Sequence, residues 1–126
     1  MVSHKDLDRR SRALHCLVVE KIRRDPTLID RAHAILARWR ETVCPGTQIY
    51  LTQWETLLSD PEKALAVAIE DSERADTLRQ SSPLSCLLTP KERRSFLRNW
   101  RASEATNRLD ETDELPASYP QESPDL

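Results

Sequence analysis

Apolar residues recur along this chain with the period of an α-helix, and prolines mark where the runs begin. Three times a residue of capping type precedes proline: Asp25-Pro26, Asp60-Pro61 and Thr89-Pro90. Proline at the first helical position gives up only an amide that lacks an intrahelical partner in any case. Each pair therefore predicts a helix start. At Thr89-Pro90-Lys91-Glu92 a glutamate at the third helical position completes a capping box.

Five amphipathic helices follow from this reading. The first covers about 4–24, with Ser3 as N-cap and Leu7, Leu14, Leu17, Val18 and Ile22 on one stripe. The second, about 26–43, carries Leu28, Ala32, Ile35, Leu36, Trp39 and Val43, and Cys44-Pro45-Gly46 ends it. The third, about 48–58, places Tyr50, Trp54, Leu57 and Leu58 on one face. The fourth, about 61–79, uses Leu65, Ala68, Ile69, Ser72 and Ala75, and its stripe thins after Ile69. The fifth, about 90–103, offers Phe96, Leu97 and Trp100. A single glycine, Gly46, argues against a β-rich fold with many tight turns. The expected architecture is all-α: a compact helical bundle over 1–103.

From about residue 104 the apolar period is lost, and Pro116, Pro120 and Pro124 recur among Ser, Glu and Asp. That composition predicts a disordered tail over 104–126. Charge divides at the same place. The tail holds Glu104, Asp110, Glu111, Asp113, Glu114, Glu122 and Asp125 against Arg108, a net −6, whereas the remaining residues are +4. A mildly basic body thus carries an acidic end.

The cysteines, Cys16, Cys44 and Cys86, are odd in number and dispersed, with no C-x-x-C pair. Reduced thiols fit a cytoplasmic protein, and Cys16 reads as a small buried hydrophobe. No apolar run approaches the roughly 20 residues of a membrane-spanning helix. Asp6 and Asp8 interrupt the N-terminus, which lacks the apolar core of a secretory signal.

Catalytic chemistry finds little support. His15 and Cys16 are adjacent on a helix and point about 100° apart, and His4 and His33 build no ligand spacing, so no metal is expected. One glycine cannot form a phosphate-binding loop. Glu70, Asp71 and Glu73 read as a solvated helix face rather than a carboxylate pair in a cleft. Ser81, Ser82 and Ser85 lack a nucleophile-elbow context. No catalytic residue, cofactor or small-molecule substrate is expected.

Binding reads better. Arg9, Arg10 and Arg12 with Lys21, Arg23 and Arg24 form one basic zone; Lys91, Arg93, Arg94, Arg98 and Arg101 form another. Either could neutralise phosphates. A helix-turn-helix through Cys44-Pro45-Gly46 would offer Gln48, Thr52 and Gln53 to bases, with no basic side chain beside them. Nucleic acid is therefore a secondary partner. The loop Ser81-Ser82-Pro83-Leu84-Ser85-Cys86-Leu87-Leu88 has two readings. It packs onto the bundle as a connection, or it is an apolar docking surface rimmed by arginines. The second reading places partner contacts at Arg74, Leu78, Arg79, Ser82, Pro83, Leu84, Arg93 and Arg94. The acidic tail would be a further contact with a basic partner.

The segment Asp71-Ser-Glu-Arg-Ala through Leu78-Arg-Gln-Ser-Ser-Pro-Leu to Leu88-Thr-Pro-Lys-Glu-Arg93 resembles a stretch found in small, uncharacterised bacterial helical proteins. Some of these look like the antitoxin members of toxin–antitoxin gene pairs. The resemblance covers about a quarter of the chain and carries no catalytic residue. It implies a protein that binds and neutralises a partner, a toxin encoded nearby. The alternatives are a DNA-binding regulator or autorepressor, and an adaptor subunit of a larger assembly.

Overall fold

A computed structural model describes residues 4–42 and 44–111, with side chains through 106. Among them are six α-helices and one 3-10 helix, and no strand. In chain order these are α1 (His4–Arg24), α2 (Leu28–Arg40), α3 (Pro45–Leu58), α4 (Pro61–Ala68), α5 (Glu73–Arg79), the 3-10 helix (Pro83–Leu87) and α6 (Pro90–Glu111). The chain divides into two compact units, 1–90 and 91–126. The expected Ser3 cap, Val43 and the part of the acidic tail beyond residue 111 lie outside the described residues.

Proline punctuation locates α4 and α6, which begin at Pro61 and Pro90. At the third pair, helix α2 begins two residues late, at Leu28. The Asp25 carboxylate accepts from the Thr27 amide and hydroxyl, which makes Asp25–Thr27 a turn of its own. Cys44-Pro45 is a helix start that the sequence reading assigned to a helix end: Pro45 is the first residue of α3 and Gly46 lies inside it. Gly46 has no positive φ, so it does not supply the left-handed residue of a helix terminator.

The largest departure concerns the predicted helix 61–79, which breaks into α4 and α5. Ser72, read as part of the apolar stripe, is the N-cap of α5 and accepts from the Ala75 amide at 3.1 Å. Its own hydroxyl donates to Glu70 Oε2 at 2.5 Å. The break lets two short helices turn their apolar faces inward, where one straight helix would have carried its later residues away from the core.

The first unit has its core between α1, α2 and the segments that follow. Helix α1 packs against α4, α5 and the 3-10 helix; α2 packs against α3 and the 3-10 helix. The 3-10 helix thus connects α1 with α2. Buried side chains include Val18, Ile22, Leu36, Leu51, Trp54, Leu58, Leu65, Leu78, Leu84 and Leu87. On α1 the buried face is Leu14, His15, Val18, Val19 and Ile22. Leu7 and Leu17, expected in the core, are exposed. Cys16, expected to be buried, is exposed too, because it lies opposite the buried stripe on the helix.

The second unit contributes α6, which runs eight residues beyond the expected end near 103. Residues 104–111 are therefore helical rather than the start of a tail. Phe96 and Trp100, one turn apart, stack with ring centroids 6.2 Å apart.

Candidate functional site

The docking surface expected around residues 74–94 is not an exposed apolar patch. Leu78, Arg79, Ser82, Pro83 and Leu84 are all buried. Of the eight residues assigned to partner contacts, Arg74 and Arg94 are exposed and Arg93 is half-buried. Arg74 lies in the first unit, whereas Arg93 and Arg94 lie on α6.

Physical reasons for the burial can be read residue by residue. Ser82 caps the 3-10 helix, accepting from the Leu84 amide at 3.0 Å, and its carbonyl accepts from the Ser85 hydroxyl. Pro83 then occupies the first helical position. The far end of this helix is met by Lys21, whose ammonium donates to the Leu87 carbonyl at 2.9 Å. The loop is thus a small folded element whose leucines fill the core between α1 and α2.

Arg79 is the most constrained charge of the described chain. Its side chain has no exposure, and its carboxylate partner is Asp76, one turn earlier. Nη1 reaches the carbonyls of Val67, Ala68 and Glu70 at 3.4, 3.0 and 2.9 Å. They lie at and just beyond the C-terminal end of α4; the Val67 carbonyl also accepts from the Glu70 amide, and Arg79 supplies a donor to Ala68 and Glu70 where the helix has stopped. Arg12 supplies a second guanidinium to the same end, its Nε 2.7 Å from the Ile69 carbonyl. Two arginines from α1 and α5 therefore cap α4, and positive charge at a helix C-terminus is favourable. Nearby, the Trp54 indole is fully buried and donates to the Leu78 carbonyl at 2.7 Å.

A comparable clamp joins α2 to α3. Arg40 donates to Thr52 Oγ1 at 2.7 Å, Glu55 Oε1 at 3.0 Å and Gln48 Oε1 at 3.5 Å, while Gln48 Nε2 donates to the Arg40 carbonyl. Gln48 and Thr52 were two of the three base-reading candidates of a recognition helix. Both are engaged with α2, which leaves Gln53 exposed among them. The pairing that a helix-turn-helix would keep open is closed.

Cations of the first basic zone are also largely engaged. Arg9 pairs with Asp6 at 2.7 Å, Arg23 with Glu62 at 3.3 Å, and Arg12 and Lys21 with the carbonyls above. The second zone differs. On α6, Lys91, Arg94, Arg98 and Arg101 are exposed, and among the described residues none of them forms an ion pair.

Groups that could carry reaction chemistry are dispersed. His4 and His33 are exposed, and His15 is buried with Nδ1 2.8 Å from the Ser11 carbonyl. Among the described residues no three His, Cys, Asp or Glu side chains gather as a metal site. Cys44 is exposed at the N-cap of α3, with Sγ 3.5 Å from Thr47 Oγ1. Hydrogen bonds from the Thr47 side chain and then its amide hold this thiol below its ordinary pKa, with a smaller contribution from the Gly46 amide. Among the described residues no helix is long and apolar enough to cross a membrane.

No protein-family model matches the chain, and comparisons with curated proteins and with solved structures find no similar protein.

Proposed function

We propose that this chain is an antitoxin-like protein that binds and blocks a partner protein, a toxin encoded nearby, with the bundle as scaffold and α6 as the contacting element. The observation that carries the reading is the make-up of α6. It is a 22-residue helix in a compact unit of its own. One side bears Phe96, Leu97 and Trp100, half-buried, with Arg93 beside them. Aromatic and arginine side chains at helical spacing are the anchors that helix-in-groove recognition uses. The resemblance of residues 71–93 to antitoxin-like proteins supports the neutralising role.

Burial of Leu78, Arg79, Ser82, Pro83 and Leu84 moves the contact away from the loop. Those residues hold the scaffold together, and Arg74, Arg93 and Arg94 remain as contacts from the original set. Co-expression with the neighbouring gene product tests the reading. Rescue of growth and co-purification of the two proteins are expected, and both should be lost in Arg93→Glu combined with Trp100→Ala. Growth arrest that persists with no co-purified partner would sink the proposal.

A further inference from the structure

Helix α6 carries a second feature on a different side from its aromatic residues. Lys91, Arg94, Arg98 and Arg101 stand at i, i+3, i+7 and i+10. At about 100° per residue these four positions fall within about 80° of one another around the helix. All four are exposed. Within this face Ala102 and Ala105 are small and exposed, and half-buried Ser95 and Leu97 flank it on either side. Among the α6 residues whose side chains are described, the acids Glu92 and Glu104 are half-buried and fall outside the stripe.

Like Arg24 and Arg74 of the first unit, these cations enter no ion pair among the described residues; what distinguishes them is that all four share one helix face. In the first unit Arg9, Arg12, Arg23, Arg40 and Arg79 are tied to carboxylates or carbonyls. Within the stripe, Arg98 makes a long contact to the Ser95 hydroxyl, 3.4 Å. Like charges at i, i+4 and i, i+3 repel, so the arrangement costs helix stability unless an anion lies across it. Three of the four are arginines, whose planar guanidinium matches phosphate oxygens two at a time.

We infer that the Lys91–Arg94–Arg98–Arg101 face of α6 is a binding site for the phosphate backbone of nucleic acid, read without regard to sequence. The stripe spans about 15 Å along the helix axis. One strand of a duplex presents a phosphate about every 3.4 Å of axis, so roughly four phosphates lie opposite four cations. No long polar side chain accompanies the cations to read base edges; Ser95 and the alanines cannot reach into a groove. An acidic membrane surface fits less well. Interfacial helices insert an apolar side, and here Phe96, Leu97 and Trp100 are half-buried rather than exposed. This inference stands apart from the aromatic anchors of the protein-partner reading and shares only Arg94 with it.

Fluorescence anisotropy of the full chain with a labelled mixed-sequence duplex of 20 base pairs tests it. Binding should weaken with salt at a logarithmic slope of about −3.6, roughly a 150-fold loss between 50 and 200 mM NaCl. Arg94→Glu with Arg98→Glu should weaken binding at least about tenfold and flatten the slope to about −1.8. Arg94→Lys with Arg98→Lys should weaken binding less than the Glu pair and leave the salt slope near the parent's, because the charge is kept while the two-pronged contact is lost. Circular dichroism of each variant checks that α6 is retained. No duplex binding at 20 mM NaCl, or binding that the Glu pair leaves unchanged, overturns the site. Stripe-dependent binding to vesicles of anionic lipid without any to duplex assigns the face to membranes and overturns it equally.

Discussion

Arg79 shows how one side chain can hold a corner of the fold. Its own side chain is shielded from solvent, and its guanidinium serves the carbonyls of Val67, Ala68 and Glu70 and the half-buried Asp76 carboxylate. Removing it leaves those acceptors and Asp76 without their donor. Such losses at buried ionic groups typically cost about 3–5 kcal/mol. Arg79→Met is therefore expected to lower the chemical-denaturation stability by about that amount, and Arg74→Met, at an exposed neighbour, by less than about 0.5 kcal/mol. Equal effects at the two positions would contradict the assignment of Arg79 to the core. Cys44 gives a different kind of test. Its thiol lies below the ordinary value chiefly because of Thr47, so its thiolate is present at lower pH than in the unfolded chain. The iodoacetamide rate at Cys44 should rise at lower pH in the native protein than in denaturant, and Thr47→Val should move the native profile upward. A profile unchanged by that substitution would remove the Thr47 hydroxyl as cause.

Among the elements, α3 and α5 carry instructive ends. Gly46 sits in the first turn of α3, where an added Cβ would meet nothing within 4 Å and φ is not positive. Glycine here contributes only backbone freedom to the unfolded chain. Gly46→Ala should raise the stability by about 0.4–1 kcal/mol, measured by thermal melting. Ser72 is the opposite case, since its hydroxyl starts α5 and also holds Glu70. Ser72→Ala should cost about 1 kcal/mol, with proteolysis or hydrogen exchange quickening at the α4–α5 corner. A corner that opens no faster would mean that the two arginine caps alone fix it.

At the scale of the whole molecule, the chain divides along its sequence into a core-bearing unit and a second unit that carries α6. The residues buried in the core run from Leu14 to Leu88, so α6 lies outside the stretch that fills it. A chain ending at Thr89 should keep a cooperative thermal transition and lose helical circular dichroism in proportion to α6. A broad, non-cooperative melt would show that the first unit needs the second. The same truncation should abolish both activities assigned to α6, the capture of a partner and the salt-dependent binding of duplex.

Much of the helical layout was legible in the chain, because it depends on local physics. Period-3.6 apolar runs and prolines at first helical positions act within a few residues, and they located α1 and the starts of α4 and α6. The missed boundaries had local signals too: Cys44-Pro45 is another proline start, and Asp71-Ser72-Glu73 places cap residues where one continuous helix was expected. What could not be read was which polar residues would turn inward. Arg79 and Ser82 look like surface residues by type, and the loop could pack or dock. Their fate was decided by carbonyls at residues 67–70 and by the gap between α1 and α2, which exist only once distant segments meet. Sequence alone determined that the chain is a set of amphipathic helices carrying uneven charge. Tertiary structure alone decided which charges are committed to the core and which are exposed for contact, because buried carbonyls hold the arginines that they can reach.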